Sequence, residues 1–187
     1  MTITTNEYAA LSAFIYNDQR GGSNDAPINK LGLPENWQDL SKLGFTTGDN
    51  LNNYNPFSFT AGAYINQATG EIVVSYKGTD FLVEFSGRAW NTAADLIADV
   101  ALALSKKAFG LQNFQQLLAS TYYLAVVDWA VQNNVNHSGI SFTGHSLGGG
   151  LASNMAAWFD RPATTFAEAP FELSTKNPVA IPPLQLL

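Results

Sequence analysis

Gly144-His145-Ser146-Leu147-Gly148 is the stretch in which residue type and spacing point most directly at covalent chemistry. A nucleophilic serine needs an exposed hydroxyl on a strained turn. Glycines two before and two after it let the flanking strand and helix approach closely. A helix that begins behind the serine aims its first N–H groups at the reaction centre, where they favour an oxyanion. That is the chemistry of acyl transfer. The bare pattern arises by chance in about one chain in twelve of this composition, so its context matters. The apolar run Gly139 to Thr143 (GISFT) precedes it, and a helical segment rich in small residues (Gly149, Gly150, Ala152, Ser153) follows. The bland alternative is a glycine-rich turn with an idle serine.

The same residues fit a second chemistry. Thr143-Gly144-x-x-x-Gly148-x-Gly150 matches the TGxxxGxG phosphate loop of the short-chain dehydrogenases. That loop opens its domain, with most of the fold downstream. Here only 37 residues follow Gly150, and no tyrosine has a lysine four positions on. The nicotinamide reading is therefore the weaker one.

A serine nucleophile needs a base and an acid that orients the base. The chain has two histidines, His137 and His145. His145 adjoins the serine and leaves the turn in another direction. His137 precedes the strand, ~20 Å away at the far end of the sheet. Asp160, Glu168 and Glu172 are the nearest downstream carboxylates. They read more simply as solvated charges. Cysteine is absent, which excludes disulfides, thiol nucleophiles and thiolate metal sites. Gly48-Asp49-Asn50 with Asn52, Asn53 and Asn55 lacks the order of a calcium loop. No histidine–carboxylate spacing suggests zinc. We expect no cofactor and no metal.

The elements that must position Ser146 follow from periodicity. Thr5 caps a first helix carrying Tyr8, Leu11, Phe14 and Ile15. Residues 17–56, rich in Asn, Gly, Asp and Pro, form an irregular excursion that packs on something. Alternation from Phe57 to Ile65 and the β-branched run Glu71 to Lys77 predict two strands joined by an Ala68-Thr69-Gly70 turn. Helices are expected over 92–107 (Leu96, Val100, Ala103, Leu104 inward) and over 111–132. The buried stripe of the second is Phe114, Leu117, Leu118, Tyr122, Ala125 and Trp129. After Asn133-Asn134 come the strand 139–143, the Ser146 turn, a helix to Phe159 closed by Arg161-Pro162, and a strand over 164–167. Residues 173–187 carry no pattern. Strands alternating with helices predict one α/β domain. At 187 residues, 46% hydrophobic and 13% charged, the chain is long enough for one core. A net charge of −6 and a pI near 4.7, with no basic cluster, make nucleic acid a poor partner. The N-terminus does not read as a signal peptide, and no apolar run reaches the ~18 residues of a membrane span. The location stays open between a cytoplasmic chain and one exported as part of a longer chain by a C-terminal signal.

Phe142-Thr-Gly-His-Ser-Leu-Gly-Gly149 resembles the nucleophile elbow of the class 3, fungal-lipase-like lipases of the α/β-hydrolases. Val73-Val-Ser-Tyr-Lys-Gly-Thr79 is similar to that family's strand ending in Arg/Lys-Gly-Ser/Thr. Trp90-Asn-Thr-Ala-Ala-Asp95-Leu is a looser match to its tryptophan before an acidic helix start. Together they span about residues 57 to 172. The resemblance implies an α/β-hydrolase three-layer sandwich and hydrolysis of lipophilic carboxylic esters. Ser146 is then the nucleophile, and backbone N–H groups of Thr79 and Leu147 form the oxyanion hole. It also makes Phe81, Leu82, Val83, Phe85 and Trp90 a lid that meets the acyl chain; ordinary core packing is the alternative. In that family the acid and the histidine follow later strands. Ala163-Thr-Thr-Phe-Ala-Glu-Ala-Pro170 resembles the strand after the elbow, and the acid would follow the strand after that. The resemblance thus implies a lipase domain incomplete on its C-terminal side: a fragment, a truncated frame or a degenerate copy. An open sheet edge would favour self-association. A non-catalytic module that binds lipid or a partner through residues 81–90 is the competing function.

Overall fold

The computed structural model describes residues 2–16, 31–47, 59–78 and 109–168. The expected helix over 92–107 and the unpatterned residues 173–187 lie outside them, as do the flanks of the 17–56 excursion.

Helix α1 (Thr5–Phe14) begins with a capping box. The Thr4 hydroxyl accepts from the Glu7 N–H at 3.3 Å, and the Thr4 N–H donates to Glu7 Oε2 at 2.8 Å. The cap is thus Thr4, one residue before the expected Thr5, because only Thr4 has a glutamate three positions on. Tyr8, Leu11, Ser12 and Ile15 turn inward at helical spacing.

Strands β1 (Trp37–Asp39), β2 (Ala61–Asn66), β3 (Ile72–Tyr76), β4 (Ile140–His145) and β5 (Ala163–Phe166) form one sheet in chain order. β1–β2 and β2–β3 are antiparallel, whereas β3–β4 and β4–β5 are parallel. The β2–β3 hairpin turns where the sequence suggests. Asn66 Oδ1 accepts from the Ala68 and Thr69 N–H groups at 2.9 and 3.2 Å, and Gly70 takes the left-handed φ of +74°. β1 was not expected. It sits inside the excursion, pairs with β2, and is followed by a 3-10 turn over Leu40–Leu43 that Asp39 caps. Trp37 and Leu40 are buried, so this part of the excursion packs on the domain.

The parallel step from β3 to β4 requires a crossover. Helix α2 (Phe109–Gln132) lies in it, and helix α3 (Leu147–Phe159) joins β4 to β5. Both cover one face of the sheet. Tyr122, Val126, Leu151 and Met155 pack there with Ile72, Val74, Tyr76, Ile140 and Phe142. Helix α1 covers the other face, where Tyr8 and Leu11 meet Trp37, Tyr64 and Val73. The result is the expected α/β arrangement of helices on both sides of a mixed sheet, consistent with a hydrolase-like sandwich.

The buried arc of α2 differs from the expected stripe. Leu118 and Tyr122 are buried, but Leu117 is 53% exposed, and Ala125 and Trp129 are only half-buried. Ala119, Tyr123, Val126 and Ala130 turn inward instead. Two contacts set this azimuth: the Tyr76 hydroxyl donates to the Ala119 carbonyl at 3.0 Å, and the Tyr123 ring packs on Phe159 at 4.4 Å and Phe142 at 5.1 Å. Burial pushes the Tyr76 phenol well above its ordinary pKa, so it stays a donor. Phe114 lies among the residues whose side chains are not described. Among the described residues, no helix is long and apolar enough to cross a membrane.

Candidate active site

Ser146 sits between β4 and α3 with φ +55° and ψ −123°. A non-glycine residue holds such a backbone only where its surroundings enforce it. Here the Ser146 N–H donates to the Phe166 carbonyl at 3.0 Å, and the Ser146 carbonyl accepts from the Gly150 N–H at 3.2 Å. One bond ties the turn to the end of β5, the other to the first turn of α3. The Ser146 hydroxyl does not cap the helix, and the residue is partly exposed.

The flanking glycines have separate steric reasons. A Cβ on Gly144 would collide with the Gly148 carbonyl, and one on Gly148 with the Tyr76 carbonyl. The spacing of Gly144, Ser146 and Gly148 therefore reflects the packing of β4 against α3 and of α3 against β3. Leu147, the first helical residue, is buried at 8% exposure. Its N–H belongs to the first turn, whose donors have no acceptor within the helix.

The parallel register brings a second segment alongside. Tyr76 lies opposite Gly144, so Lys77 and Gly78 run beside His145 and Ser146. A Cβ on Gly78 would stand 3.2 Å from the His145 carbonyl oxygen and 3.6 Å from the Leu147 nitrogen. Lys77 and Gly78 thus abut the turn that carries Ser146. Thr79 lies outside the described residues, as do Phe81, Leu82, Val83, Phe85, Trp90 and Asp95.

His145 ends β4 with an exposed side chain. Strand alternation sends it to the α1 face, on which Ser141 accepts from the Tyr8 hydroxyl at 2.9 Å. Its ring meets Tyr16 edge-on, with centroids 6.3 Å apart. His137 is exposed on a 3-10 turn before β4, at the opposite end of that six-residue strand. That separation is ~20 Å at ~3.3 Å per residue. Asp160 caps the far end of α3, also ~20 Å from Ser146 at ~1.5 Å per residue. Glu168 is nearer. Its carboxylate accepts from the Thr165 hydroxyl at 3.0 Å, and its Cα would lie 3.4 Å from a Cβ on Gly149. It follows Ala167, another non-glycine residue with positive φ, at +43°. Glu172 and the Asp49–Asn55 loop lie outside the described residues. Among the described residues, no three histidine or carboxylate side chains converge as metal ligands.

Tyr16 is the residue that sequence reasoning overlooked. Its hydroxyl accepts from the Gly78 N–H at 3.1 Å, and the buried Lys77 places Nζ 5.2 Å from its ring centroid. The contact joins residues 62 apart, so no local spacing could announce it. The only signal was an aromatic residue just past the end of α1.

A phospholipase-like family model, described as a Tle-like phospholipase domain, matches residues 7–178. No curated protein matches the chain.

Proposed function

The chain belongs to the Tle-like phospholipase family, and from that premise we propose that it hydrolyses carboxylic esters of lipids with Ser146 as nucleophile. The observation that carries this reading is the Ser146 backbone, held at φ +55° by a bond to the end of β5 and followed directly by a helix. In this mechanism Ser146 Oγ attacks the ester carbonyl and gives its proton to a base. The carbonyl oxygen becomes an oxyanion that accepts from the N–H groups of Leu147 and Thr79. Collapse breaks the ester C–O bond, the leaving alkoxide takes a proton from the base, and water then releases the acid. Phe81, Leu82, Val83, Phe85 and Trp90 hold the acyl chain. The finer likeness to class 3 lipases belongs to the same reading and rests on the elbow and on Lys77-Gly78-Thr79.

His137 and His145 both suit the base poorly. We infer that these 187 residues supply the nucleophile and the oxyanion side, and that a histidine and an acid from outside them complete the triad. Loss of a triad member leaves ~10³–10⁴-fold acceleration over water in comparable enzymes, from the oxyanion hole and binding. The chain alone should therefore react slowly. The test is fluorophosphonate labelling followed by intact mass. We expect slow single labelling that disappears in Ser146→Ala and speeds up with added imidazole, which stands in for the missing base. A folded chain that stays unlabelled with imidazole sinks the reading. Retained binding to lipid vesicles in that case would favour the non-catalytic alternative. The placement of both histidines is the observation behind that alternative.

A further inference from the structure

We propose that Tyr16 is a positioning residue for the oxyanion side of this site, acting through its hydroxyl on the Gly78 peptide. The inference rests on the serine-hydrolase reading above and goes beyond it by assigning a role to a residue outside both motifs. Three observations converge on it. The Gly78 N–H donates to the Tyr16 hydroxyl at 3.1 Å. Gly78 is also the point where the segment after β3 touches the elbow, with its would-be Cβ 3.6 Å from the Leu147 nitrogen. The ring is held on two further sides, edge-on to His145 at 6.3 Å and beneath Lys77 Nζ at 5.2 Å.

A peptide at the end of a strand is free to rotate once its ladder bonds stop. Gly78, with no side chain, has the widest choice of backbone angles. The phenol oxygen removes that freedom by accepting the one N–H the residue has. The Gly78 donor is then spent on Tyr16, so the oxyanion must take its strand-side bond from another N–H. The wall beside the Leu147 N–H is fixed at the same time. Loss of the hydroxyl should leave substrate binding intact and misalign the donors, and misplacement of about 1 Å can cost ~10²-fold in rate.

Tyr16→Phe removes the hydroxyl and keeps the ring contacts to His145 and Lys77. Two readouts are taken on the full chain. The first is amide hydrogen exchange by NMR: Gly78 should be protected in the parent and exchange freely in Tyr16→Phe, with the Ser146 amide unchanged. The second is the concentration dependence of fluorophosphonate labelling in imidazole. The maximal rate should fall about 10- to 100-fold while the half-saturating probe concentration stays put, a split that general loosening would not give. An unchanged maximal rate overturns the proposal, as does a change confined to half-saturation. If the parent does not label at all, the serine reading has failed, and hydrogen exchange alone decides whether Tyr16 clamps Gly78. Should Tyr16→Phe not fold, exchange on the parent decides: a Gly78 amide as fast as an exposed peptide removes the hydrogen bond and the proposal with it.

Discussion

The two faces of the sheet are built from the same strands and differ in kind. Towards α2 and α3 the strands present Ile72, Val74, Tyr76, Ile140 and Phe142, all fully buried. Towards α1 the alternate positions of β3, continued by Lys77 just after it, and of β4 are Val73, Ser75, Lys77, Ser141, Thr143 and His145. Only Val73 among them is aliphatic. The first face is an apolar interior, although α2 and α3 bring Gln116 and Asn154 into it. The second is a seam of hydroxyls, bridged in part by Tyr8 to Ser141 and by Thr143 to the Thr164 carbonyl at 2.7 Å. Among the described residues, Ser12 and Ser75 have buried hydroxyls with no hydrogen-bond partner. Stability therefore resides mainly in the α2/α3 face. The α1 face gives up apolar burial, and from it α1 delivers Tyr16 to the site.

The largest effect expected from this contrast is at Phe142. Its ring stacks on Tyr76 at 6.0 Å and packs against Tyr123, with no exposed surface. Phe142→Ala should cost about 3–5 kcal/mol in urea unfolding, the range for a buried phenylalanine that leaves a cavity. A loss below about 1 kcal/mol would mean that this face is not the main core. Ser75, one position along in register on β3, should behave in the opposite way. Ser75→Ala removes a desolvated hydroxyl and leaves the backbone ladder intact. It should raise stability by about 1 kcal/mol. A fall of similar size would instead show that the hydroxyl is satisfied by a buried water, and would make the seam a hydrated one.

What the sequence revealed depended on how local each signal was. The strand–turn–helix around Ser146 was legible because two glycine clashes and one serine lie within five residues. The β2–β3 hairpin was legible because its turn chemistry is contained in Asn66 to Gly70. β1 was not, since three residues are too few to display a period of two inside a polar stretch. The stripe of α2 was misjudged at Leu117 because the ranking of apolar side chains cannot tell which of two adjacent arcs will meet Tyr76 and Phe142. Tyr16 was invisible for the same reason on a longer scale: its partners come from just after β3 and from the end of β4. The oxyanion residue Thr79 and the aromatic segment 81–90 rest on the resemblance alone.

The smallest expected effect concerns how α1 is tied to the sheet. Glu7 Oε1 accepts from the Trp37 indole N–H at 2.9 Å, and Oε2 accepts from both the N–H and the hydroxyl of Thr4. These bonds, Trp37 first, hold the Glu7 carboxyl below its ordinary pKa. A carboxyl lowered in the folded state stabilises the fold above its unfolded pKa of about 4.3, and that contribution fades as pH falls through the folded value. The parent should therefore lose stability between about pH 5 and pH 3 through this group, and Glu7→Gln should flatten that part of the curve. The carboxylate is only partly shielded, so the difference should be at most a few tenths of a kcal/mol. Melting curves of both proteins at pH 7, 5, 4 and 3 would show it. Parallel curves would mean that Glu7 titrates alike in both states. The bonds from Trp37 and Thr4 to its carboxylate would then contribute nothing to how α1 is held, and the apolar contacts of Tyr8 and Leu11 with Trp37, Tyr64 and Val73 would carry that role.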